Sequence, residues 1–163
     1  VLASEHVGQA TPRDRAEDGP EARAPLDGLA RGGWRLAYSD KPTDYMKTLY
    51  AELKRNDFTY SLGFQTGEGN KIRSVQWNGL AFKSGLAAGM EIVAVNGQAA
   101  SAERLAEAVT AAKDPSTPIT LIVKDDEQYR TVVFDYHDGL RYPALERIAG
   151  KPDYLSAILN PRR

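Results

Sequence analysis

The spacing of apolar residues divides the chain into short elements. Trp34, Leu36 and Tyr38 alternate with polar neighbours and predict a strand, and Gly32-Gly33 breaks anything helical before it. Tyr45, Met46, Leu49, Tyr50 and Leu53 then recur at three- and four-residue spacing, which is one face of a helix. Pro42 suits the first turn of that helix, Asn56-Asp57 its end, and the aromatic-rich face a core contact. From Asp57 the period becomes two. Phe58, Tyr60 and Leu62 predict a strand running into Gly63-Phe64, and a further strand continues through Gln65 and Thr66. After a turn at residues 67–70, Lys71 to Trp77 alternates with Ile72 and Val75 out of phase, which predicts a bulge or two-sided burial.

Turn residues punctuate the middle of the chain. Asn78-Gly79 and Asn96-Gly97 are turns, and Gly85 and Gly89 fall where a short helix must stop and the backbone must bend. Met90 to Val95 is an apolar run of the length of a strand buried on both faces. Ser101 is a good N-cap for an alanine-rich helix to about Lys113, ended by Asp114-Pro115. Ile119–Val123 and Tyr129–Tyr136 predict a hairpin turning at Asp125-Asp126-Glu127, an acidic cluster that belongs to a solvated turn.

Composition narrows the function classes. A chain of 163 residues suits one domain with extensions, and its net charge of −1 argues against an electrostatic nucleic-acid binder. With no cysteine there are no disulfides or thiolate sites, and the compartment stays undecided on that ground. His6 and His137 are the only histidines, and no His-Glu-x-x-His motif, nucleophile elbow or phosphate loop occurs. We expect no catalytic residue, no metal site and no cofactor in this chain. No apolar run is long enough to span a membrane. The chain opens on Val1 without a visible signal sequence and reads as a piece of a longer protein.

The stretch Ala81 to Gly97, with Gly85, Leu86, Gly89, Ile92, Val95 and Asn96 between, resembles the signature of the PDZ family of small peptide-binding modules. Tyr60-Ser61-Leu62-Gly63-Phe64 resembles that family's carboxylate-binding loop, Gly-Leu-Gly-Phe, with Ser61 at the first Gly. The expected fold is α+β and mainly β. It is a PDZ-like, partly open β-barrel of five to six strands and two helices, with an N-terminal extension and a C-terminal tail. Successive backbone N–H groups in such a loop form an anion nest. A peptide carboxylate is therefore expected on the amides of Leu62, Gly63 and Phe64, with Ser61 in the same loop. The peptide chain adds beside Phe64, Gln65 and Thr66, and Leu105 and Val109 offer the helical wall.

The C-terminal stretch carries a second resemblance. Tyr136-His137-Asp138-Gly139-Leu140-Arg141-Tyr142-Pro143, Leu145-Glu146-Arg147-Ile148, Gly150-Lys151-Pro152-Asp153 and Ile158-Leu159-Asn160-Pro161-Arg162 resemble, in order, the end of the glycyl aminopeptidase family of zinc metallopeptidases. Tyr60-Ser61-Leu62-Gly63, Gly89-Met90, Gly33-Trp34-Arg35-Leu36 with Tyr38, and Asp40-Lys41-Pro42 fit the same family. The resemblance implies a periplasmic or secreted parent that removes N-terminal Gly and Ala. Its zinc would lie in a catalytic domain outside this chain, and that domain would be a partner. Four segments are expected: residues 1–24 as linker, 25–56 as a junction with an amphipathic helix, 57–136 as the PDZ domain, and 137–163 as a tail with a short helix from Asp153 to Leu159. The expected role is an accessory module that binds extended peptides or protein C-termini, not nucleic acid or membrane. The alternative is a structural or oligomerisation domain that buttresses the catalytic domain.

Overall fold

The computed structural model describes residues 26–160. The expected linker at 1–24 lies outside the described residues, as do Pro161 and Arg162 of the last motif. The elements in order are α1 (Leu26–Arg31), β1 (Trp34–Ser39), α2 (Asp44–Glu52), β2 (Asn56–Phe58), β3 (Phe64–Thr66), β4 (Ile72–Val75), α3 (Leu80–Lys83), β5 (Glu91–Val95), β6 (Gln98–Ala99), α4 (Ala102–Ala111), β7 (Ile119–Asp125), β8 (Gln128–Phe134), β9 (Tyr142–Arg147) and α5 (Tyr154–Leu159). Three open sheets result, ordered β1-β9, β2-β3-β4 and β6-β5-β7-β8. The described residues form two compact units, Leu36–Glu146 and a smaller one of residues 26–35 with 147–160.

The larger unit has one apolar core. Phe58, Leu62, Phe64, Ile72, Ile92, Leu105, Val109, Leu121 and Phe134 are among its buried members. Strand β7 shows why: Ile119, Leu121 and Val123 point inward in strict alternation and are fully buried. In β5 only Ile92 and Val95 are buried, because a register shift between Ile92 and Ala94 re-aims the strand. The two-sided burial expected of Met90–Val95 is therefore one-sided. The bulge expected between Lys71 and Trp77 falls at Arg73, since Gln65 faces Ser74 while Thr66 faces Ile72.

Local chemistry sets the element ends. The helix expected from Pro42 begins later, because Thr43 caps it by accepting from the Met46 amide at 3.3 Å. Its aromatic face is less buried than expected: Met46, Leu49 and Tyr50 are half-buried, while Tyr45 and Leu53 are exposed. Ser101 caps α4 through the Arg104 amide at 3.2 Å, as its sequence position predicts. Asn96 and Gly97 both take positive φ, 48° and 79°, the backbone that a tight hairpin turn needs. The segment expected as a polar tail contains β9 as well as α5, whose N-cap is Asp153.

In the smaller unit, Trp34, Arg147 and Asp153 interlock. The Asp153 carboxylate accepts from Trp34 Nε1 at 2.9 Å and from the Ser156 amide at 3.0 Å. The Arg147 guanidinium donates to the carbonyls of Gly33 (2.7 Å) and Lys151 (2.9 Å) and lies 5.4 Å from the Trp34 ring centre. Gly33 has φ +83°, and a Cβ there would overlap the Pro152 carbonyl, so only glycine fits. Asp153 is held below the usual carboxylate range, first by the Ser156 amide and then by Trp34.

His137 closes the larger unit after β8. Its Nδ1 lies 2.7 Å from the Ala112 carbonyl and its Nε2 lies 3.0 Å from Asp135 Oδ1. Two acceptors favour the ring with both nitrogens protonated, so the pKa is raised, first by Ala112 and then by Asp135. A raised folded-state pKa stabilises the fold below the ordinary value of 6.5, and that stability is lost as pH rises through the folded-state pKa. NMR titration of the His137 ring is expected to give a midpoint above 6.5, and Asp135→Asn should move it down.

Candidate functional site

The loop at residues 59–63 turns the chain from β2 back along β3. Three successive amides, those of Ser61, Leu62 and Gly63, donate to one oxygen, the Phe58 carbonyl, at 3.1, 2.8 and 3.0 Å. Gly63 sits at φ +86°, the left-handed conformation that lets the chain reverse. The loop carbonyls are held too: Leu62 accepts from the Ala81 amide (3.0 Å) and Gly63 from Gln76 (2.8 Å). Of the amides anticipated for a carboxylate, those of Leu62 and Gly63 do converge, joined by Ser61 rather than Phe64, but their acceptor is the chain's own.

The neighbouring strand edge is occupied as well. β2 pairs antiparallel with β3 in the register Asn56↔Thr66, Asp57↔Gln65 and Phe58↔Phe64, and β4 takes the other side of β3. The Phe58 side chain is buried, with its ring 5.9 Å from that of Phe64. A short segment of this chain therefore holds the edge on which an added peptide was expected.

The predicted site residues fall into two groups. Ser61, Leu62, Gly63, Phe64, Gln65 and Thr66 are contiguous, as expected, but turned inward. Leu62 and Phe64 are fully buried, Thr66 is buried, and the Gln65 amide donates to Asp57 Oδ2 at 3.1 Å. Ser61 Oγ accepts from the Arg141 amide at 3.0 Å, a fixed bond that explains a serine at this loop position. Leu105 and Val109 are buried in the core and offer no open wall. The reason is general: the apolar stripe of a surface helix packs onto the core first.

A feature missed in the sequence lies on the outer side of β2. A cavity of about 720 Å³ is lined by β2, by Tyr50 of α2 and Lys54 just after it, and by Ala102 and Ala106 of α4. Asp57 organises its floor, accepting from Tyr50 Oη (3.1 Å), Gln65 Nε2 (3.1 Å) and the Thr59 amide (2.9 Å). Burial, and next the Asp57 charge, push the Tyr50 and Tyr142 phenols above their usual range. The sequence signal was the segment Asn56–Phe58, whose first two residues read as a helix end and whose Asp57-Phe58 reads as the start of a longer strand.

Antiparallel sheets, a glycine-hinged loop and a helix capped by Ser101 define a small interaction module. Residues 52–124 match the PDZ domain family, and this segment takes the partly open PDZ-like barrel, the fold of a peptide-binding or protein-interaction module. No curated protein matches the chain. Among the described residues, no cluster of three or more His, Asp or Glu side chains could hold a metal ion, and no helix is long and apolar enough to cross a membrane.

Proposed function

We propose that this chain is the accessory PDZ part of a secreted or periplasmic zinc aminopeptidase of the glycyl type, and that it acts by contact with its own catalytic domain. The parent assignment rests on the ordered C-terminal motifs from Tyr136 to Arg162. The mode of action rests on one observation: the Phe58 carbonyl takes the amides of Leu62 and Gly63, two of the three that a free C-terminus would need. Exposed apolar side chains supply contact surface for a neighbouring domain. Trp77 is 75% exposed, and its ring lies 4.4 Å from that of Phe82, which is 40% exposed. Ile158 and Leu159 on α5 are also exposed.

The zinc of such a parent would be held elsewhere, because the described residues do not fit a metal site. No chemical step is assigned to this chain, and no turnover of Gly- or Ala-arylamides is expected from it.

The second reading is capture of a peptide C-terminus by Leu62, Gly63 and Phe64, which the family match favours. It requires β2 to leave β3. NMR titration with peptides bearing free or amidated C-termini separates the two. The proposal expects the amides of residues 61–63 to stay unmoved by either peptide. Saturable shifts there that need the free carboxylate, and that vanish in a folded Gly63→Val variant, would overturn it.

A further inference from the structure

We propose that two copies of this chain pair antiparallel along the free edge of β8, joining their sheets into one across a two-fold axis at Val132. β8 ends the sheet β6-β5-β7-β8, and no strand among the described residues pairs with its outer side. Whether β2 fills the slot beside β3 does not enter, because β8 lies in the other large sheet.

β8 lacks the devices that protect an edge. Free edges are ordinarily kept short, bulged, charged or interrupted by proline. The edge strands β2 and β6 are three and two residues long, but β8 runs for seven. Its register against β7 is unbroken from Asp125↔Gln128 to Ile119↔Phe134, so no bulge twists it away. It holds no proline and no lysine. Its one charge, Arg130, is turned onto the carbonyls of Ser84 (3.4 Å) and Gly85. Thr120 accepts from the Asn96 amide at 2.8 Å, toward the β5 side of β7. Its partner across the hairpin, Val133, therefore points its own N–H and carbonyl away from β7, and by alternation so do Thr131 and Tyr129. On one face of that edge Tyr129 and Val133 are 61% and 59% exposed, with Thr131 exposed between them.

Self-complementarity selects a second copy as the occupant. With Val132 on the axis, Thr131 meets Val133 of the second copy, a β-branched pair, and Tyr129 meets its Asp135. Charges match in this register. Lys124 lies opposite Tyr129 on β7, its ammonium 6.0 Å from that ring's centre, within reach of the second copy's exposed Asp135. Glu127 meets the second copy's His137, a ring that two acceptors favour in its protonated form. Each contact occurs twice. An axis at Thr131 would instead set Glu127 against Asp135, two like charges. The net charge of −1 leaves little long-range repulsion between copies.

Sedimentation equilibrium is expected to give a mass rising from 17.9 kDa toward twice that value as the chain approaches about 1 mM. Over the same range amide exchange should slow at Tyr129, Thr131 and Val133 and stay unchanged at residues 61–63. Thr131→Pro removes an outward N–H that the ladder with β7 does not use, so the fold should survive and the dimer be lost. Lys124→Glu should weaken the dimer about tenfold, and Asp135→Lys added to it should restore the affinity. That pair of variants decides the matter should the proline variant unfold. A mass fixed at 17.9 kDa at about 1 mM overturns the proposal. So does a dimer whose outward β8 amides exchange no more slowly, one that a folded Thr131→Pro leaves intact, or one that Asp135→Lys fails to restore.

Discussion

Phe64→Ala is expected to lower the free energy of unfolding by about 3–5 kcal/mol, measured by urea denaturation. Phe64 is fully buried, with Phe58 on one side (ring centres 5.9 Å apart) and Phe134 on the other (6.5 Å). It therefore joins the sheet β2-β3-β4 to β8 of the other large sheet. Truncation leaves a cavity that strands on both sides would have to close together, so little relaxation is expected. The change should appear in the midpoint with the denaturant slope kept.

Phe58→Ala is expected to cost a similar amount, about 3–5 kcal/mol, but with a different local signature. Phe58 contributes twice. Its ring fills the core, and its carbonyl gathers the amides of Ser61, Leu62 and Gly63. Losing the ring loosens β2, which is only three residues long. Hydrogen exchange at those loop amides should then accelerate well beyond the change that Phe64→Ala brings through global stability alone. Uniform acceleration in both variants would mean that β2 and β3 open only when the whole core does. Because the two rings touch, the double variant should lose less than the sum of the single ones.

Much of this fold was legible in the sequence where one residue type decides the backbone. Asn96-Gly97, Gly85, Gly89 and the Ser101 cap each behave as their chemistry requires, and they frame β5, β6 and α4. The chain from Asp57 to Thr66 was harder. Phe58 and Leu62 are both buried, but the expected alternation breaks between them, with Tyr60 exposed and Ser61 buried, because these residues form a turn rather than a strand. No Asn-Gly or Asp-Gly marks that reversal. It is made by amides converging on Phe58, a detail that no period in hydrophobicity records. The same limit explains Leu105 and Val109. Their spacing identifies an apolar helical face, but it does not say whether that face meets a ligand or the core.

The bond between Ser61 and Arg141 spans 80 positions of sequence. It reaches past the end of the segment that matches the PDZ family, at residue 124. A graft cut at that end would leave the buried Ser61 hydroxyl without its donor and would omit β8, which is hydrogen-bonded along the whole length of β7. The unit that evolution or a protein engineer can move between proteins is therefore longer than its signature. It has to carry the closing strands and the clasp beyond them.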